Sequence, residues 1–168
     1  MLIVSYDGTN YCGWQKQNGQ LTIEGVLNNE LTKLFNEEIN VIGASRTDAG
    51  VHAKGNVAVF DTKNMTIEDK KIAYALNSKL PEDIRVQKSQ EIGLNFHPRY
   101  DKNRKNYTYK ILNNAIQMPI YRAYTYHVYS NIDIALMREA ANYLVGEHDF
   151  KAFCSSNTQV KTTIRHIF

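Results

Sequence analysis

The residues able to do chemistry in this chain gather in one run, Gly43-Ala44-Ser45-Arg46-Thr47-Asp48-Ala49-Gly50-Val51-His52-Ala53. Asp48 lies on a tight, glycine-flanked stretch, so its carboxylate can approach a substrate closely, as nucleophile or as base. Arg46 could keep that carboxylate ionised and hold it through charge-assisted hydrogen bonds. His52 could assist proton transfer or simply pack beside the loop. The same spacing also suits a plain polar hairpin loop, with Asp48 in an Asx-turn and Arg46 paired to it on the surface. The choice between these readings rests on the segments that must hold the run.

Those segments alternate between strand and helix. Residues 2–6 read as a short apolar strand closed by the turn Asp7-Gly8. Thr22 is placed to cap a helix with Glu24 in its first turn. Val26, Leu27, Leu31, Leu34 and Phe35 form its apolar stripe. Residues 41–44 and 56–60 flank the Arg46–Asp48 run as strands. Thr66-x-x-Asp69 predicts a capping box for a second helix buried through Ile72, Ala73 and Leu76 and ended by Pro81. Residues 84–89 read as a fourth strand. The order β-α-β-β-α-β is that of ferredoxin-like domains, which RNA-recognition domains share.

After residue 92 the pattern restarts. Tyr107, Tyr109 and Ile111 alternate on one strand face, and residues 124–129 form another alternating strand. Asp133 can cap a helix with Met137, Ala140, Ala141, Leu144 and Val145 on its apolar side, and Gly146 is expected at its C′ position. Residues 162–168 begin one more strand. A β-β-α-β set without a closing helix and strand predicts a second half that is incomplete and less stable than the first.

Composition narrows the class. At 168 residues the chain can bury a core as one domain or two small ones. A hydrophobic content of 43% with 22% charged residues is that of a soluble globular protein, and no apolar run reaches the ~20 residues a membrane span needs. Cys12 and Cys154 form no Cys-x-x-Cys pair and no histidines bracket them at metal-ligand spacing, which fits a reduced intracellular setting. The net charge is only +3, but residues 99–110 hold five basic side chains against Asp101. Eleven tyrosines mixed with basic residues suggest a nucleic-acid surface, with a solvated basic face as the alternative.

Six motifs in register decide between these readings. Tyr6-Asp7-Gly8-Thr9-Asn10-Tyr11-x-Gly13-Trp14-Gln15 stands first, then Ser45 to Ala53 as quoted above, then Leu76-Asn77 before Leu80-Pro81. Phe96-His97-Pro98-Arg99, Lys105-Asn106-Tyr107-Thr108-Tyr109 and Gly146-Glu147-His148-Asp149-Phe150 follow. Together they resemble the TruA family of tRNA pseudouridine synthases over essentially the whole chain. The resemblance implies isomerisation of uridine to pseudouridine in the anticodon stem-loop of tRNA, at tRNA positions 38 to 40. It implies no metal and no organic cofactor, a cytoplasmic enzyme and a homodimer of two-domain subunits.

The fold it implies is α+β: a pseudouridine synthase fold of two ferredoxin-like β-α-β-β-α-β halves with antiparallel sheets. Residues 1–92 would form the half with the aspartate loop, and 93–168 an incomplete half with the tyrosine strand and the basic segment. Asp48 matches the family's catalytic aspartate. Arg46 would support it and fill the gap left by a flipped nucleotide, which a base within a stem requires. Tyr107 matches the family's active-site tyrosine and would stack on uracil, with Tyr109 behind it in support. Trp14 is equally suited to core or to RNA contact, and Gln15 and His52 are candidate substrate contacts. Arg99, Lys102, Arg104 and Lys105 would bind phosphates. The family's second domain runs on past the last strand here, and that part carries an arginine that joins the active site. A truncated chain is therefore expected. The rival class is a non-catalytic RNA-binding module or an inactive fragment of such an enzyme.

Overall fold

The computed structural model describes residues 1–101, 104–155 and 162–168, so Lys102 lies outside the described residues. The chain forms two compact units, Met1–Tyr107 and Thr108–Phe168.

The first unit realises the β-α-β-β-α-β order. Strand β1 (Leu2–Tyr6) is followed by α1 (Ile23–Phe35), β2 (Ile42–Gly43), β3 (Ala53–Val59), α2 (Ile72–Asn77) and β4 (Ile84–Ser89). The sheet has the order β2-β3-β1-β4 with every pair antiparallel, so the two sequence-central strands β2 and β3 lie together on one side. Leu2, Val4 and Tyr6 alternate inward along β1 and meet Ala58 of β3 and Ile84 and Val86 of β4. Helix α1 lays Ile23, Leu27, Leu31 and Phe35 on that face, with Val26 and Leu34 at its margin. Thr22 caps it, its hydroxyl accepting from Gly25 N, and Asn36 ends it in the left-handed region at φ 51°. Burying four such side chains stabilises the unit by about 1.5–3 kcal/mol each before entropy is counted.

The second helix is shorter than its pattern suggests. No capping box forms at Thr66 and Asp69. Asp69 accepts from Lys70 N and Glu91 N instead, and a 3-10 turn at Asp69–Lys71 leads into α2. With its carboxylate engaged by a loop beyond β4, Asp69 cannot close a box. Ser89 on β4 supplies the acceptor for Ala73 N. Asn77 at the helix end clasps Val86 on both sides, accepting from its N–H at 2.8 Å and donating to its carbonyl at 2.9 Å.

The second unit contains β5 (Ile111–Asn113), β6 (Tyr126–Val128), α3 (Ile134–Asn142), β7 (Gly146–Asp149) and β8 (Ile164–Ile167). β7 and β8 pair antiparallel, whereas β5 and β6 run parallel. Residues 114–125 between β5 and β6 give the dozen residues that a parallel connection needs. The expected strand at Tyr107 begins only at Ile111, because pairing with β6 supplies just three rungs. Asp133 caps α3 as expected, accepting from Ala135 N and Leu136 N. Gly146 is not the helix C′ residue. The helix ends at Asn142, and Gly146, at φ 103°, opens β7. Among the described residues of this unit none is fully buried. No helix among the described residues is long and apolar enough to cross a membrane.

Candidate active site

The Arg46–Asp48 run leaves the sheet where the β2–β3 ladder ends. Ala44 N still donates to Val57 O at 2.7 Å, as a strand residue would. At the next residue a side chain takes over from the backbone. Asn56 of β3 accepts from Ser45 N at 3.2 Å and donates through Nδ2 to Ser45 O at 3.1 Å. Two residues later Thr47 is held twice, its carbonyl by Trp14 N at 2.9 Å and its hydroxyl by the Tyr6 phenol at 2.8 Å. Gly50 N donates to Tyr11 O at 3.2 Å, and Val51 N closes the turn onto Asp48 O. The backbone on both sides of Asp48 is thereby fixed to β1 and to the turn that follows it.

Close approach makes this possible. A Cβ on Gly13 would stand 2.5 Å from Thr47 O, and Gly13 itself has φ 82°, so only glycine lets the Trp14 segment lie against the loop. A Cβ on Gly43 would fall 2.4 Å from Trp14 Cε2. Trp14 is wholly buried, its ring tilted on Tyr6 at 5.8 Å. This corrects its reading as an RNA contact: the indole is core, and it supports the loop from beneath. Its Nε1 has no hydrogen-bond partner among the described residues.

Arg46 and Asp48 are both exposed. They form no ion pair with each other, and neither side chain makes a hydrogen bond among the described residues. The site therefore combines a fixed backbone with a carboxylate and a guanidinium open to a ligand. His52 is half-buried at the loop's exit. Its Nδ1 accepts from Gly8 N at 3.1 Å and stands 3.0 Å from Asp7 Oδ1, tying the loop's end to the Asp7-Gly8 turn. Asp7 Oδ1 also accepts from Thr9 N at 3.0 Å. Gln15 is exposed, next to the buried indole.

Residues 93–107 cluster with the first unit, although sequence pattern puts them with the second half. Two of the expected phosphate ligands show why. Arg99 Nε donates to Gly43 O and Lys105 Nζ to Ala44 O, each at 3.0 Å, at the entrance to the loop. Arg104 is exposed, and Tyr107, 80% exposed, belongs to the same unit as Asp48. Tyr109 lies in the second unit, tilted on Tyr126 at 6.1 Å.

Burial pushes the Tyr6 phenol above its ordinary pKa, against hydrogen bonds from Thr47 and Asn56 that pull it down. It remains a neutral donor or acceptor at the loop. Tyr11 is pushed up in the same direction by burial and by the Asp83 carboxylate to which it donates at 2.6 Å. Among the described residues no group of three or more His, Cys, Asp or Glu side chains is placed to hold a metal ion.

Known sequences match this chain. The family model described as tRNA pseudouridine synthase matches residues 2–101 and 140–168, which include the whole Asp48 loop together with Tyr6, Trp14 and Asn56. The chain belongs to the tRNA pseudouridine synthase family. It is 48% identical over 168 residues to tRNA pseudouridine synthase A of a Thermoanaerobacter species, covering all of this chain and 68% of that protein. It is 46% identical over 166 residues to the enzyme of the same name from Acetivibrio thermocellus, and 48% identical over 168 residues to tRNA pseudouridine synthase A 2 of Clostridium tetani. These cover 99% of this chain and 68% and 67% of the respective relatives. The α+β architecture, with its antiparallel four-stranded sheet, is consistent with the pseudouridine synthase fold.

Sequence pattern missed Asn56 and Tyr6 as parts of this site. Asn56 carried a signal: it falls in phase with Ala58 on the inward face of β3, where a polar side chain needs a partner.

Proposed function

We propose that this chain isomerises uridine to pseudouridine in the anticodon stem-loop of tRNA, at tRNA positions 38 to 40, with Asp48 as the catalytic carboxylate. The observation that carries the proposal is Asp48 itself: an exposed carboxylate, engaged by no side chain among the described residues, on a loop whose backbone is held on both sides. A nucleophile or base must be available and must not wander.

The reaction breaks the bond between C1′ and N1, turns the base, joins C1′ to C5, releases the C5 proton and leaves N1 carrying a proton taken up from solvent. Asp48 acts at the sugar or base as nucleophile or as base. The target uridine has to leave the stem first. Arg46, two residues from Asp48 and not engaged by the described residues, is the guanidinium proposed to fill the vacated gap and to steady Asp48 once RNA is bound. Tyr107 stacks on the flipped uracil, an interaction worth about 1–3 kcal/mol. Gln15 and His52 border the substrate. Arg99, Arg104 and Lys105, with Lys102, bind phosphates, and Arg99 and Lys105 at the same time brace the loop entrance. The enzyme acts in the cytoplasm as a homodimer.

The test is tritium release from tRNA transcripts carrying 5-tritiated uridine, comparing transcripts with uridine kept only at positions 38 to 40 against transcripts with it kept elsewhere. Release from the former alone is expected. Binding without release would leave an RNA-binding module. For the basic segment, neutralising Arg99, Lys102, Arg104 and Lys105 should flatten the slope of log affinity against log salt. The expected change is roughly 0.7 for each phosphate of single-stranded RNA that is no longer neutralised. An unchanged slope would make the segment a solvated face.

A further inference from the structure

From the way the loop is anchored, we infer that Asn56, acting with Tyr6, is a positioning residue for the reaction: it sets where Arg46 and Asp48 stand without touching substrate. The inference rests on the assignment of Asp48 as the catalytic carboxylate.

Asn56 is 7% exposed and sits in the middle of β3, where its own backbone pairs with Val4 of β1. Its side chain does not serve the sheet. The amide carbonyl accepts from Ser45 N and the amide nitrogen donates to Ser45 O, so both functions of one side chain grip the two polar groups of one loop residue. That is the pairing a strand partner would supply. A side chain supplies it from farther out, so the chain departs from the sheet at Ser45 and projects the next residue, Arg46, outward.

The Tyr6 phenol extends the grip. It pairs with the Thr47 hydroxyl at 2.8 Å, a second anchor two residues along the loop. Asn56 and Tyr6 therefore hold the loop at two points, Ser45 one residue before Arg46 and Thr47 one residue before Asp48. Asn56 and Tyr6 are buried, so water cannot readily replace these bonds if one is removed. A displacement of the loop by about 1 Å is enough to cost up to roughly 100-fold in rate, because the reacting groups must meet in a narrow geometry.

The experiment measures kcat and KM for tritium release by the intact protein and its Asn56→Ala, Asn56→Asp, Tyr6→Phe and Asp48→Asn variants. It is paired with amide hydrogen exchange. Asn56→Ala should lower kcat by about 10- to 100-fold with KM within about twofold, and Tyr6→Phe by a smaller factor in the same pattern. Asn56→Asp keeps the shape and the acceptor for Ser45 N but sets a carboxylate oxygen against Ser45 O. It should lose as much as the alanine variant. Amides of residues 45–51 should exchange faster in the Asn56 variants, while those of β1 and β4 keep their parent rates. An effect confined to kcat and to this loop separates positioning from general loosening of the fold.

Parent-like kcat in Asn56→Ala, beside an inactive Asp48→Asn, would overturn the inference and leave the Asp48 assignment standing. Turnover by Asp48→Asn would overturn the assignment itself. If the Asn56 variants do not fold, Tyr6→Phe decides, since it removes the oxygen that holds the loop at Thr47: a parent-like kcat would overturn the inference, and a reduced kcat at unchanged KM would support it.

Discussion

Helices α1 and α3 start alike. Thr22 caps the first through Gly25 N, and Asp133 caps the second through Ala135 N and Leu136 N. Both then carry an apolar stripe, yet their outcomes differ. Leu27, Leu31 and Phe35 are buried, whereas Leu136 is 62% and Met137 45% exposed. The difference lies in what each unit offers a helix to lie on. Unit one has a four-stranded antiparallel sheet with one apolar face. Among its described residues, unit two has two separate strand pairs, with strands of three or four residues. Two-stranded ribbons are marginal alone and have too little area to cover a helix stripe. Caps and patterning specify a helix locally, but its burial is decided by the sheet. The Asp48 loop is anchored in the unit that has the sheet.

The largest expected consequence is in local stability. Amides of β1, β3 and β4 should outlast those of β5 to β8 in hydrogen exchange by roughly three orders of magnitude, a gap of about 4 kcal/mol in opening free energy. Equal protection in both units would dissolve the contrast. Next in size come matched truncations. Leu27→Ala should cost about 2–5 kcal/mol, whereas Leu136→Ala should change stability by less than about 0.5 kcal/mol. Chemical denaturation followed through Trp14 and through far-ultraviolet circular dichroism would show both. Equal costs would mean that the α3 stripe is covered as well as the α1 stripe.

A smaller effect comes from pH. Both units carry carboxylates held below their usual range: Glu37 chiefly by the Thr62 hydroxyl, Asp69 chiefly by Glu91 N, and Asp149 chiefly by the Thr163 hydroxyl. A depressed folded-state pKa contributes stability at neutral pH that is lost as acid is added, so acid should loosen both units. Among the described residues only the first unit has buried phenols, Tyr6 and Tyr11, whose pKa is raised by burial. Their folded forms keep the proton when the unfolded chain starts to release it near pH 10, so stability falls as pH rises beyond about 10. Trp14 is the only tryptophan and is buried against Tyr6, so its fluorescence should report that alkaline loss. A Trp14 signal that is flat through this range would contradict the role given to the two phenols.

Much of the first unit could be read from sequence because its signals are local. Thr22 stands one position before a stripe at helical spacing, and β1 and β4 alternate as half-buried strands must. What could not be read depends on partners distant in sequence. Asp69 looked like a capping residue, but its carboxylate is taken by Glu91 N, which no local pattern marks. Arg99 and Lys105 looked like phosphate ligands. They also donate to Gly43 and Ala44 carbonyls, and a carbonyl leaves no trace in residue identity. At the site, the identity and spacing of Arg46, Asp48 and His52 were legible, while their support by Asn56 and Tyr6 was not. Trp14 read equally well as core or contact, and burial against Gly43 and Tyr6 settles it as core. Gly146 was expected to end helix α3, and it opens β7 instead. Pairing of β7 with β8 selects the strand.

The central claim is that Asp48, fixed by its loop and engaged by no side chain among the described residues, is the group that makes the reaction possible. Asp48→Asn removes the negative charge and the nucleophile with almost no change in shape, and binding to phosphates supplies most RNA affinity. Tritium release from 5-tritiated uridine in tRNA should disappear in this variant, while tRNA affinity at fixed salt stays within a few-fold of the parent. Appreciable release by the asparagine variant would contradict the account.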